Sequence, residues 1–194
     1  MSLLAEATPL YPLLPMDPLA LIDKYYAGQP QLRSLLLLHS RQVAERALQV
    51  VDAHPELGAD RQFVYEAAML HDIGILQTDA PDIHCYGSRP YIQHGIAGAD
   101  ILRAEGLPRH ARVAERHTGA GLSLADILAQ HLPLPPRDLQ PETIEEQIVC
   151  YADKFFSKSH PQREKPLHKV RGSIAKHGAE ALRRFDEWQL RFER

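Results

Sequence analysis

The chain has 194 residues, a formal net charge of −3, and 44% hydrophobic against 24% charged residues. Folding at this length buries roughly 70% of the unfolded surface, so neither a disulfide nor a structural zinc ion is needed for stability. The two cysteines, Cys85 and Cys150, form no Cys-x-x-Cys pair, which argues against a cysteine-rich zinc module and favours a reducing compartment. The charge balance provides no general attraction to nucleic acid or anionic lipid, so phosphate would have to bind at a local site.

The N-terminal segment is rich in proline and leucine, and we predict that residues 1–16 form an irregular arm that packs on the domain or on a partner. Prolines interrupt its apolar residues, and the apolar run Leu35 to Leu38 is far too short to span a bilayer. We therefore expect a cytoplasmic protein that has no membrane or nucleic-acid partner. The arm would allow a homodimer, and residues 17–194 are expected to form one helical domain.

The apolar positions of this domain repeat at the spacing of an α-helix, and no segment shows sustained alternation. We predict helices over residues 17–27, 31–53, 60–73, 88–105, 108–117, 123–130, 141–159 and 165–194, with loops at 75–89 and 131–140. Asp17 and Pro18 are a typical N-cap and first helical residue. Gly74 is predicted to end the third helix in the left-handed conformation. The expected fold class is all-α, a compact single-domain helical bundle.

Four polar residues occupy positions where the helical pattern calls for apolar ones. His71 and Asp72 interrupt the apolar run 67–76, Asp153 interrupts the run 148–156, and His39 lies on the apolar stripe of its helix. An ionised carboxylate is costly to bury unless it is paired or binds a metal. A divalent cation shared by these four side chains would resolve every one of these conflicts.

Each residue also has a simpler interpretation when it is considered alone. A single helical histidine such as His39 is more often a hydrogen-bonded core residue than a metal ligand. Asp153 would equally suit a buried pair with an arginine, and a His-Asp dipeptide is common. The metal interpretation is favoured because the four residues together make a complete ligand set.

This ordered set, His39, then His71-Asp72-Ile73-Gly74, then Asp153-Lys154, resembles the HD superfamily of metal-dependent phosphohydrolases, of the small single-domain type in which Ile-Gly follows His-Asp. The resemblance covers about residues 35–160. It implies that His39, His71, Asp72 and Asp153 bind a divalent transition metal, namely Fe, Mn, Zn or Ni.

Two further histidines, His94 and His117, match the subset of this superfamily that binds a second metal, so one or two ions per chain are expected. Hydrogen bonding to a phosphate is the alternative role for this pair. Thr118 stands where cyclic-dinucleotide phosphodiesterases of the superfamily carry an additional histidine, and their Gly-Tyr-Pro signature is missing. The sequence therefore disfavours cleavage of a cyclic dinucleotide.

The resemblance implies hydrolysis of a phosphate ester, with a nucleotide or nucleotide polyphosphate as the expected substrate, by attack of metal-activated water. Asp72 would bridge two metals and orient the nucleophile. Lys154 is predicted to neutralise phosphate charge and Arg89 to clamp the substrate, although a solvated lysine and an exposed loop arginine are the alternatives. Two other functions remain open: a di-iron oxygenase of the same superfamily, and a non-catalytic helical module that senses a nucleotide.

Overall fold

A computed structural model describes residues 16–160 and 163–193, so the predicted arm lies, except for Met16, outside the described residues. The helices are α1 Pro18–Tyr26, α2 Pro30–Ala53, α3 Arg61–Leu70, α4 His94–Ala104, α5 Pro108–Arg116, α6 Leu124–Ala129, α7 Ile144–Asp153, α8 Leu167–Ile174 and α9 Ala179–Phe192. These elements confirm the predicted all-α fold class. Among the described residues, no helix is both long enough and apolar enough to cross a membrane.

Several helices begin at the polar residues that the sequence pattern indicates. Asp17 accepts a hydrogen bond from the backbone N–H of Leu19 at 2.9 Å, and Pro18 follows as the first residue of α1. Ser123 and Asp126 form a reciprocal capping box at the start of α6. Such side chains satisfy backbone donors that have no partner inside the helix, which explains why these starts were predictable.

Residues 75–89 contain more regular structure than the predicted loop. A small sheet with strand order β2-β1-β3 is formed by β1 Thr78–Ala80, β2 Cys85–Tyr86 and β3 Arg89–Pro90, with β2 antiparallel and β3 parallel to β1. The predicted helix start at Ser88 is also wrong, because the next two residues form strand β3 and α4 begins only at His94. A 3₁₀ turn at Tyr91–Gln93 then leads into α4.

The two C-terminal helix predictions are wrong in their bounds. Helix α7 begins at Ile144 because the Thr143 side chain caps it, and it ends at Asp153 rather than at Ser159. The predicted final helix is divided into α8 and α9 at Gly178, whose φ of 112° is incompatible with a continuous right-handed helix.

Gly74 is needed for close packing and not for a left-handed helix end, so that prediction is wrong. It lies in a 3₁₀ helix, Ile73–Gln77, and is not among the residues of positive φ. A Cβ at this position would lie 2.1 Å from the backbone N of Gly98 and 2.2 Å from the carbonyl oxygen of His94. The segment after α3 therefore rests directly on the backbone of α4, which brings the His-Asp doublet next to His94.

The main core is one cluster to which every helix named above except α6 contributes. Its largest fully buried side chains include Tyr26, Leu36, Met69, Ile148 and Tyr151. An ion-pair network around the buried Glu146 links α5 to α7. The Glu146 carboxylate accepts hydrogen bonds from Arg112 Nε at 2.9 Å and from Arg116 Nη1 at 3.3 Å. Because His117 directly follows Arg116, this network also places His117 relative to α7.

Candidate metal centre

The four side chains of the predicted ligand set meet at one point between α2, α3 and α7. One ligand atom from each of His39, His71, Asp72 and Asp153 lies within 4.8 Å of all the others. Asp72 Oδ2 is 3.0 Å from Nε2 of both His39 and His71. Asp153 Oδ1 is 3.0 Å from His39 Nε2. Residues far apart in sequence thus form one compact donor cluster.

A second cluster shares Asp72 with the first. The Nε2 atoms of His94 and His117 lie 3.0 Å apart, and they are 3.5 Å and 3.4 Å from Asp72 Oδ1. Asp72 therefore presents one carboxylate oxygen to each cluster. A carboxylate in this position is suited to bridging two cations.

The hydrogen bonds of three histidines show which ring nitrogen is free to bind a metal. Nδ1 of His71, His94 and His117 each lies 2.7 Å from a backbone carbonyl oxygen, of Ala68, Tyr91 and Ala114 respectively. A carbonyl oxygen can only accept, so each Nδ1 carries a proton, and Nε2 is the nitrogen that each ring would offer to a metal. Metal-binding histidines usually have this second hydrogen bond.

Two of these Nε2 atoms face each other, which is unfavourable without a cation. His94 and His117 direct two unprotonated Nε2 atoms at each other, beside Oδ1 of Asp72. Nε2 of His39 and Oδ1 of Asp72 are buried and have no hydrogen-bond partner within residues 16–160 and 163–193, whereas Oδ2 of Asp72 contacts the ammonium group of Lys158. Imidazole nitrogens with carboxylate oxygens are suitable ligands for divalent transition metals, so the donor set fits such an ion.

Burial and neighbouring charges shift the pKa values of this site in opposite directions. Burial, and then the nearby His117, lower the pKa of His94 to about 3. Burial alone would also lower the pKa of His71, but Asp72 and Asp153 together raise it to about 9. Despite burial, His71 and Lys158 hold the pKa of Asp72 well below its ordinary value. The carboxylate is therefore ionised at neutral pH and available as a ligand.

A cavity of about 440 Å³ opens beside the two clusters. Its lining includes His94, His117 and Asp153 from the clusters and three lysines, Lys154, Lys158 and Lys165. The donor atoms therefore lie at the wall of a space that can admit a small molecule. The lysines give part of this wall a positive charge.

The family model described as HD domain matches residues 36–157. The chain belongs to the HD domain family. This membership confirms the resemblance inferred from the motif order, and the match includes both donor clusters. The chain therefore carries a candidate site for divalent metal in an HD domain.

Two proteins named tRNA (cytidine(56)-2'-O)-methyltransferase are among the curated relatives of this chain. The Picrophilus torridus protein is 40% identical over 63% of this chain but 32% of its own length. The Thermoplasma volcanium protein is 37% identical over 72% of this chain and 35% of its own length. An uncharacterized protein of Methanocaldococcus jannaschii is 37% identical over 61% of this chain and 64% of its own length.

Two solved structures share the fold of this HD domain. Both are the HD domain of the L. monocytogenes phosphodiesterase PgpH, one of them in complex with cyclic-di-AMP. Their TM-scores are 0.50 and 0.51 at 17% sequence identity, with 87% of this chain and 94% and 92% of theirs covered. This likeness supports the helical HD fold.

The other two predicted site residues differ in their placement. Lys154 Nζ is 2.7 Å from Asp153 Oδ2 and donates a hydrogen bond to the carbonyl oxygen of His117 at 2.8 Å. Lys154 is therefore a buried residue of the HD site, and not a solvated lysine. Arg89 Nη1 instead lies 3.3 Å from Asp100 Oδ2, and Arg89 lies outside the described lining of the cavity.

Two residues of the HD site were missed by sequence reasoning. Lys158 Nζ lies 2.5 Å from Asp72 Oδ2, and only 11% of its side chain is exposed. The Tyr91 ring stacks on His94 with centroids 4.8 Å apart. The only sequence signal for Lys158 is that it follows Lys154 by four residues, and this spacing is equally typical of a solvated helix face. The early end of α7 brings Lys158 inward.

Proposed function

We propose that this HD domain is a metal-dependent phosphohydrolase that acts on a phosphate ester, with a nucleotide or nucleotide polyphosphate as the preferred substrate. One observation carries the proposal: the Nε2 atoms of four histidines surround the two oxygens of Asp72 at the wall of a lysine-lined cavity. Metals bound there would face the space that a substrate enters. His39, His71, Asp72 and Asp153 would hold one ion, and Asp72, His94 and His117 would hold a second.

The comparisons identify the family but not the substrate. The structural neighbour is named a phosphodiesterase and binds cyclic-di-AMP, a phosphorylated nucleotide, but 17% identity supports the fold alone. The methyltransferase name of the two curated relatives is not carried over, because the chain spans only about a third of their length. The proposal therefore depends on the chemistry of the site.

A bound divalent ion lowers the pKa of water towards neutrality and holds phosphate oxygens. The chain itself supplies orientation and charge. Carbonyl oxygens fix the ring orientation of His71, His94 and His117, so their Nε2 atoms need no rearrangement to bind. Lys154, held between Asp153 and the His117 carbonyl, places an ammonium group where it can neutralise a bound phosphate.

The test is to compare wild-type protein with Asp72→Asn, using Asp100→Asn on the surface as the matched control. We expect wild type and Asp100→Asn to bind a divalent metal and to release phosphate or nucleoside monophosphate from members of a nucleotide and phosphate-ester panel that includes cyclic dinucleotides. Asp72→Asn should lose roughly 100-fold or more in metal affinity and turnover, since even partners of metal ligands contribute 10–100-fold. Equal turnover by wild type and Asp72→Asn would refute this mechanism.

The shared carboxylate also fits a second function, a di-iron oxygenase. Two histidine clusters around one bridging aspartate would hold two iron ions as readily as two redox-inactive metals. Iron-loaded protein would then consume oxygen in the presence of an organic substrate, and Mn²⁺ or Zn²⁺ would not support activity. Phosphate release with Mn²⁺ or Zn²⁺ distinguishes the hydrolase from the oxygenase.

A further inference from the structure

Lys158 places its ammonium group on the central carboxylate of the candidate metal centre. Its Nζ is 2.5 Å from Asp72 Oδ2, the same oxygen that lies 3.0 Å from Nε2 of His39 and of His71. The ammonium group is also 6.0 Å from the centroid of the Tyr91 ring. Lys158 thus approaches the oxygen that the first metal would use, from the side of the cavity.

An ammonium group and a divalent cation cannot both stay close to one carboxylate oxygen without repelling each other. Their repulsion is strong at this depth, because charges inside a protein are screened less than in water. A metal held by His39, His71 and Asp72 would therefore weaken the contact between Lys158 and Asp72. The flexible side chain of Lys158 lines the open cavity, so its ammonium can turn there.

The charges around the cavity indicate what the released ammonium would bind. Within the described residues, three lysines, Lys154, Lys158 and Lys165, balance three aspartates, Asp72, Asp82 and Asp153. Each divalent ion added to this set leaves two positive charges in excess. An anionic group in the cavity would neutralise that excess, and the phosphate of the substrate is the anion that the proposed reaction supplies.

We propose that Lys158 exchanges partners during the catalytic cycle: it leaves Asp72 when the metal site fills and then binds a phosphate group of the substrate. The inference rests on the proposed phosphohydrolase function and adds a substrate-binding residue to it. Lys158 then couples the two binding events, because metal binding makes its ammonium available to the phosphate. By thermodynamic linkage, the phosphate in turn promotes metal binding.

The exchange predicts effects of opposite sign from one substitution. Lys158→Met removes the ammonium that competes for Asp72, so Mn²⁺ alone should bind about tenfold more tightly, within the usual 5–150-fold range of coupled sites. Inorganic phosphate should bind the Mn²⁺-loaded variant about tenfold more weakly than Mn²⁺-loaded wild type. Both affinities can be measured by calorimetry on the full chain.

Lys165→Met is the matched control, because Lys165 lines the same cavity but donates its hydrogen bonds to the carbonyl oxygens of Lys154 and Phe156. It should change Mn²⁺ affinity far less than Lys158→Met does, because Lys165 does not contact Asp72. Lys158→Gln serves as a second variant with the same expected effects, and circular dichroism checks that each protein is folded.

Mn²⁺ affinity that stays the same or falls in both folded Lys158 variants would overturn the exchange, as would unchanged phosphate affinity. If these results come from a protein whose wild type binds Mn²⁺ and hydrolyses phosphate esters, only the role of Lys158 is wrong. A wild-type protein that binds no divalent metal would overturn the proposed function as well.

Discussion

At the scale of single residues, the site depends on which nitrogen of each imidazole carries the proton. His94 is buried. Its Nδ1–H donates a hydrogen bond to the Tyr91 carbonyl oxygen, and its Nε2 faces Nε2 of His117. A second proton on this ring would have to lie in a buried space between two imidazoles, which is why its pKa falls to about 3. The same arrangement that favours a metal disfavours a proton.

This depressed pKa has a measurable effect on stability in acid. Below an unfolded pKa of about 6.5, the unfolded chain protonates His94, whereas the folded chain does not until about pH 3. The free energy of unfolding therefore falls as the pH drops from about 6.5 towards about 3, because only the unfolded chain takes up a proton on His94 in this range. In EDTA, the free energy of unfolding of wild type should decline relative to that of His94→Gln by about 1 kcal/mol for each pH unit between 6 and 4. Urea denaturation measures this difference, and parallel pH curves would contradict it.

At the scale of elements, the contact between the 3₁₀ helix Ile73–Gln77 and α4 decides where the doublet lies. A side chain at Gly74 would meet backbone atoms of His94 and Gly98, and backbone cannot move aside as a flexible side chain can. The two clusters lie side by side because these two segments touch. The sequence pattern predicted a requirement for glycine at position 74 from a left-handed helix end, whereas the requirement comes from close packing against α4.

Gly74→Ala should therefore destabilise the fold by about 3 kcal/mol, the upper end of the range for overpacking, or prevent folding altogether. Gly172→Ala is the matched control, because it lies within α8 and a Cβ there would meet nothing within 4 Å. That substitution should stabilise the protein by up to about 1 kcal/mol, since alanine is the better helix former. Thermal or urea denaturation of both variants gives the comparison, and equal effects would show that the close contact is unimportant.

At the scale of the whole molecule, the donor clusters connect α2, α3, α4, α5 and α7, which also surround the core. The ligands of a metal would therefore come from segments that separate when the chain unfolds. An ion that binds the folded chain and not the unfolded one stabilises the folded chain by mass action. Metal binding should be visible as a gain in global stability.

At a free Mn²⁺ concentration about 100 times its dissociation constant, this gain should be about 3 kcal/mol. For a chain of this size, the gain corresponds to a rise of roughly 5–10 °C in the melting temperature. Asp153→Asn should show a much smaller rise at the same concentration. A thermal-shift titration measures both, and an equal rise in wild type and Asp153→Asn would place the bound metal elsewhere.

The sequence alone determined the fold class and the starts of α1 and α6, and it predicted, partly through the family resemblance, the six histidine and aspartate side chains that come together. Capping and helical periodicity are local, and a polar residue within an apolar run is visible without coordinates. That these six residues bind metal stays a prediction.

Only the tertiary structure decided the bounds of α7, the break between α8 and α9, the surface pairing of Arg89 with Asp100, and the position of Lys158 on Asp72. These features depend on how distant segments pack. A long flexible lysine or arginine pairs with whichever carboxylate the fold brings within reach, and sequence spacing does not encode that distance.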